Sequence, residues 1–164
     1  MPGPMPSLDP RTPVLVGLGA ASHKAPVTDL MTDAVRAAAD DAGANGLLRR
    51  VDCIAVPQGT WSLTDPARTV ARRIGAPEAR TVRCEVGVSQ QEVVSYALGL
   101  IAAGEAEVVV VTGSEARAWE RDGGTQEDSE TDPPDQVLAR PPDFVAPIEI
   151  AAGVVWPAVV QYAL

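Results

Sequence analysis

The sequence predicts an α/β fold, a mostly parallel sheet with a buried central helix and covering helices. Three observations carry this. Short β-branched runs alternate along the chain with helical patterns, as in strand–helix–strand units. The stretch Val88–Ala103 is apolar on nearly every face (Val93, Val94, Tyr96, Ala97, Leu98, Leu100, Ile101, Ala102), as in a helix enclosed by other elements. Glu107–Gly113 reads EVVVVTG, a continuous β-branched run of the kind found in strands covered on both sheet faces.

The elements follow in order. Residues 1–12 form a Pro-rich leader, expected to be disordered. Pro13–Gly19 is an apolar strand. Thr28 caps a helix over Asp29–Ala42, with Asp29 in its first turn, an apolar stripe through Leu30, Ala34, Ala37, Ala38 and Ala42, and Gly43 at its end. Val51–Val56 is the second strand, stopped by Pro57. Asp65 or Thr64 caps a helix over Pro66–Ile74, with proline at the first position, where a missing N–H costs nothing. Arg80–Cys84 is a third strand. The apolar helix follows and ends at Gly104, and Val108–Thr112 is the fourth strand.

Composition bounds the function. A chain of 164 residues is one domain's worth; its 46% hydrophobic content includes only six aromatics, so Ala, Val, Leu and Ile build the core. A net charge of −9 argues against nucleic acid, which needs a basic footprint. Cys53 and Cys84 give neither a disulfide framework nor a zinc site and fit the reducing cytoplasm. The start lacks the basic and apolar regions of a signal peptide, and no apolar stretch reaches the length of a membrane span. Gly17-x-Gly19 is half of a dinucleotide fingerprint, without the third glycine or a helix opening behind it. Glu115–Asp135 holds eight acidic residues and two arginines, the composition of a solvated, mobile or lid-like loop, and the acidic loop is placed at 115–145. Ile148–Leu164 carries no charge after Glu149, so a helix there needs partners on several sides.

The stretch IAAGEAEVVVVTGSE, behind a strand and an apolar helix, resembles the thiolase superfamily. So does the order of RTPVLVGLG, TDLMTDAVRAAADDAG and RRVDCIAVPQGTWSLTDPARTVARRIGAPEAR. Trp61 and Asp65-Pro66 are most similar to the acetyl-CoA acetyltransferase branch related to sterol-carrier-protein thiolases. The resemblance runs from about Asp9 to Gly113 and partly returns over Ala146–Gly153. It implies the N-terminal unit of a thiolase-like protein, residues 13–164, incomplete here. It also implies acyl transfer or carbon–carbon bond chemistry on coenzyme A thioesters, with no bound cofactor or metal and an acyl-CoA-type substrate. Arg80–Cys84 would pair with its copy in a homodimer, or a partner chain would supply the missing half.

The chain departs from the family at the nucleophile. Counting back from Ile101–Gly104 places that position on Gly87, with Cys84 three residues earlier. Cys84 is the one candidate catalytic residue, and using it requires a shift of nearly one helical turn. Its other reading is a buried core thiol, since free cysteine is among the most buried residue types. Cys53, in VDCIAVP, reads as core, and His23 as an exposed loop residue. The family's other catalytic residues, a histidine and a second cysteine, come from a part of the family's chain without counterpart here. The alternative function is therefore a catalytically inactive thiolase-like subunit, scaffold or fragment.

Overall fold

The central strand of the sheet owes its place to its own alternation. In CIAVP every second side chain points to the same face, and all four residues before the proline are fully buried. The computed structural model describes residues 9, 11–44, 46–140 and 147–151. In it β1 (Cys53–Pro57) lies between β2 (Arg80–Cys84) and β3 (Val109–Val111), and β4 (Gln136–Leu138) lies outside β2. All pairings are parallel, with Cys53 opposite Arg80 and Val109, and Val82 opposite Gln136. Helices α1 (Val27–Asp41) and α2 (Pro66–Ile74) cover one face, and α3 (Gln90–Ala103) covers the other. Short helices α4 (Arg117–Arg121) and α5 (Pro147–Ala151) and a 3-10 turn at Leu47–Arg50 lie between or after these.

The two faces of β1 make two cores. Ile54 and Val56 join Val27, Met31, Val35 and Val70 under α1 and α2. Cys53 and Ala55 join Val82, Cys84, Val93 and Leu100 under α3. Full burial of each large aliphatic side chain stabilises by about 2 kcal/mol.

Helix α2 starts where the sequence places it. The Asp65 carboxylate accepts the Arg68 amide at 3.0 Å, a side-chain N-cap, and Pro66 opens the first turn. Asp65 is itself buried, and its second oxygen accepts the Thr81 hydroxyl at 2.8 Å. Arg68 holds the carbonyls of Pro77 and Ala79 and reaches Asp135 at 2.6 Å; Asp135 also accepts the Thr81 amide at 2.7 Å. One polar cluster thus fixes the start of α2, the edge of β2 and the approach to β4.

Five expectations are corrected. The Pro13–Gly19 segment belongs to no strand; Val14, Leu15, Val16 and Leu18 are 57–79% exposed. It runs against α1 so closely that a methyl group at Gly17 or Gly19 would lie 2.1 Å from the Ala38 or Ala34 carbonyl oxygen. The glycine pair therefore marks close backbone packing. Thr28 does not cap α1. The helix begins at Val27, whose amide donates to Gln126 Oε1 at 3.0 Å, and Thr28 is buried inside the first turn. Helix α3 begins at Gln90 and is not enclosed: it buries Val93, Ala97 and Leu100, while Val94 and Leu98 are 40% and 39% exposed. A single layer covers it, and among the described residues nothing lies on its outer face.

The acidic stretch is the fourth correction. Within 115–140 the chain forms α4 and β4, and its acids find partners on the α1–α2 face: Asp122 with Lys24, Asp128 with Thr64, Glu130 with Arg72. Charge counting treats such a run as solvated because it ignores the arginines of α2. The fifth correction concerns β2. It is not an edge strand, since β4 occupies the side on which a copy would pair. The leader lies outside the described residues except for Asp9, Arg11 and Thr12, and so do residues 152–164.

Replacing Asp65 with alanine removes both the α2 cap and the acceptor of a buried hydroxyl. Urea unfolding is expected to show a loss of about 3 kcal/mol. A loss below about 0.5 kcal/mol, the range of ordinary surface substitutions, would contradict the account.

Candidate functional site

In parallel α/β sheets ligands gather outside the carboxyl ends of the strands. Three segments meet there. After β1 the chain runs Gln58-Gly59-Thr60-Trp61, after β2 Glu85-Val86-Gly87-Val88, and after β3 Thr112-Gly113-Ser114-Glu115. Glu115 clamps the first segment to the third: its carboxylate accepts the Thr60 amide at 2.8 Å and the Thr60 hydroxyl at 2.6 Å. The buried Trp61 indole donates to the Ser114 carbonyl at 3.1 Å. Ser114 in turn donates its hydroxyl to the Val27 carbonyl at 2.8 Å, tying the clamp to the first turn of α1. In the sequence TGSE shows only as part of a family pattern; a glutamate just beyond a β-branched strand is the signal for this clamp.

The middle segment leads into α3. Val88 donates its amide to the Glu85 carbonyl at 3.0 Å, closing a turn in which Gly87 has φ 112°. That is left-handed territory, open to glycine and strained for a residue with a Cβ. The position counted as the nucleophile's is thus a turn glycine for a conformational reason. The first turn of α3 is then capped from within. Ser89 Oγ accepts the Glu92 amide at 3.2 Å, and Glu92 Oε2 accepts the Ser89 amide at 2.6 Å. The Ser89 amide hydrogen bond is the first cause of the lowered pKa of the Glu92 carboxyl. A carboxylate of the chain itself sits where an anionic group would be favoured.

Cys84, the candidate nucleophile, is the last residue of β2 and is fully buried in the core beneath α3. Burial pushes its thiol up to about 11, and nearby Cys53 adds to the shift. Reactive cysteines show the opposite, a lowered pKa and access to solvent. Cys53 is equally buried, and burial raises its pKa as well. His23 is exposed, 3.5 Å from Asp33 of α1, in the layer on the other side of the sheet from Cys84. Among the described residues neither a base nor an oxyanion donor set meets Cys84. Arg83, one residue away, points to the α2 side and donates to the Thr64 carbonyl at 3.1 Å.

Two open cavities lie elsewhere. One, of about 620 Å³, is lined by Asp40, Gly43, Leu47, Arg49, Arg72 and Gly75, where the 3-10 turn enters β1 and α2 leaves for β2. The other, of about 380 Å³, surrounds His23, Asp33 and Arg73. Among the described residues no helix is long and apolar enough to cross a membrane.

No family model matches the chain, and no curated protein matches it. Among solved structures it is similar to a monomeric SCP2-thiolase like protein type 1 from Mycobacterium smegmatis, at 40% identity and a TM-score of 0.58, over 65% of this chain. That likeness supports the thiolase-like superfamily, SCP2 branch. The parallel sheet with helices on both faces is in keeping with that fold. This thiolase-like chain spans 24% of the length of that relative. The relative is described as monomeric, which leaves the expected homodimer without support.

Thiol chemistry checks the site. Native protein is expected to leave both cysteines unreacted with an exchangeable aromatic disulfide reagent, and unfolded protein to react at two thiols. Rapid reaction of one thiol in the native state would contradict the burial of Cys84. Because the folded pKa is raised from an ordinary 9.0 to about 11, the neutral thiol's contribution to stability is complete below pH 9. It is lost as pH rises through 11, and Cys84→Ala should flatten that alkaline loss in unfolding measurements.

Proposed function

We propose that this chain is a thiolase-like scaffold unit without covalent catalysis of its own. It holds the approach to a site for coenzyme A thioesters rather than attacking them. One observation carries the reading: the residue at the approach to α3 is the turn glycine Gly87, while the nearest thiol, Cys84, is sealed in the core. Acyl transfer through a thioester needs a thiolate within reach of the acyl carbonyl and donors for the oxyanion. Here the self-capped first turn of α3 and the raised thiol pKa both oppose that chemistry.

The likeness to an SCP2-thiolase like protein supports coenzyme A thioesters as the ligand class and a relation to acyl transfer or carbon–carbon bond chemistry. Under this reading the apolar outer side of α3, with Val94 and Leu98, receives further polypeptide, either more of a longer chain or a partner chain. The acetyl-CoA acetyltransferase reading, with lipid metabolism as its setting, requires that this further polypeptide bring the nucleophile.

Incubating the chain with acetyl-CoA and measuring its intact mass tests the proposal. No covalent acyl adduct is expected. A stoichiometric adduct that disappears in Cys84→Ser would overturn the scaffold reading and restore the acyltransferase.

A further inference from the structure

We propose that the larger open cavity is a binding site for a phosphate monoester that carries hydroxyl groups, a small sugar phosphate, with Arg49 as its principal anchor. The cavity lies at the amino ends of β1 and β2, away from the rim, so the site is separate from the thioester reading. Three observations carry it. First, a hollow of about 620 Å³, the volume of a small-molecule site, gathers three guanidinium side chains. Arg49 comes from the 3-10 turn before β1, and Arg72 and Arg73 come from the last turn of α2. The chain as a whole carries −9, so three cations around one hollow run against its average. Neighbouring helix positions are about 100° apart, so Arg72 and Arg73 reach the hollow from different sides. Convergence from several directions suits the tetrahedral oxygens of phosphate better than the two coplanar oxygens of a carboxylate.

Second, these arginines keep donors to spare. Among the described residues the Arg49 side chain makes no hydrogen bond and no ion pair, although its stem lies against the end of α2: a Cβ added at Gly75 would sit 3.6 Å from Arg49 Cγ. Arg72 gives only Nη1 to Glu130, at 2.8 Å, and Arg73 gives only Nη1 to Asp29 and Thr28. Nor do the three cap the helix. The Gly75 and Ala76 amides donate to the Arg72 and Ala71 carbonyls at 3.2 and 2.9 Å, and Arg36 donates to the Arg73 carbonyl at 3.2 Å. The end of α2 is closed without them.

Third, the opposite wall selects the rest of the ligand. Asp40 lines the same hollow, and its carboxylate meets no cation among the described residues. It repels a bare phosphate and accepts a hydroxyl hydrogen, so it favours an ester that brings hydroxyl groups. Beside it the turn is open: Gly43 and Gly46 have φ 61° and 84°, and a Cβ at either would meet nothing within 4 Å. A ligand can therefore approach the backbone there closely.

The test is a titration of the full 164-residue chain with ribose 5-phosphate, ribose and inorganic phosphate, followed by amide chemical shifts. Ribose 5-phosphate is expected to bind with a Kd of about 1 mM or tighter and to shift the Gly43, Gly46, Arg49 and Gly75 amides. Inorganic phosphate should bind about threefold or more weakly, and ribose should leave these amides unmoved. Arg49→Ala should weaken ribose 5-phosphate by about tenfold. Arg117→Ala, which removes an exposed charge from α4, should change it by less than about twofold. Asp40→Ala should bring inorganic phosphate and ribose 5-phosphate to the same affinity. Arg49 and Asp40 are exposed, so both variants should melt with the wild type. No shift at these amides with about 10 mM ribose 5-phosphate would overturn the site. A loss from Arg49→Ala no greater than from Arg117→Ala would overturn the anchor and leave only diffuse charge. Inorganic phosphate or ribose binding as tightly as the ester to the wild type would overturn the ligand class.

Discussion

A single buried hydroxyl organises this chain. Thr81 Oγ1 donates to Asp65 Oδ2 and accepts from the Asp135 amide and from Arg68 Nη2, so one atom joins α2, β2 and the strand beyond it. Buried carboxylates are tolerated only where donors surround them. Asp65 meets that condition with the Arg68 amide and the Thr81 hydroxyl; Asp135, which is exposed, is held by the Thr81 amide and the Arg68 guanidinium. The Thr81 amide is the first cause of the lowered pKa of Asp135. The stabilisation from this group is therefore present above the ordinary carboxylate range and is lost as pH falls through the lowered value.

That constraint also decides what the candidate site can do. With α2 and β2 fixed, the carboxyl ends of β1, β2 and β3 come together as a clamped rim in which Glu115, Thr60, Trp61 and Ser114 hold one another. The middle of the rim is a glycine turn followed by a helix that caps itself. The turn's backbone geometry selects glycine at position 87. On the scaffold reading proposed above, the turn into α3 and the lack of a nucleophile in it have the same origin in local conformation.

Elements whose signals are local were legible in the sequence. Helix α2 matches its expected bounds because Asp65, Pro66 and the left-handed Gly75 punctuate it within ten residues. Strand β2, and the end of α3 at Gly104, follow for the same reason. Elements whose reasons lie far along the chain were not legible. The start of α1 depends on Gln126, and the order in the acidic stretch depends on arginines some sixty residues earlier, such as Arg72 under Glu130. Apolar composition overstated burial for Pro13–Gly19 and for α3, because composition reports what a segment could bury and not whether a second layer is present. At the site, the sequence located the approach to α3 and the doubt over Cys84, but not the Glu115 clamp, whose partner Thr60 lies across two strands.

The most direct measurement is a double-mutant cycle on Asp65 and Asp135. Their carboxylates meet the same Thr81 from two different elements. Unfolding free energies of Asp65→Asn, Asp135→Asn and the double variant should show a coupling of about 1 kcal/mol or more, as for residues of one hydrogen-bonded network. Additive losses, within about 0.3 kcal/mol, would contradict the claim that this cluster is one unit.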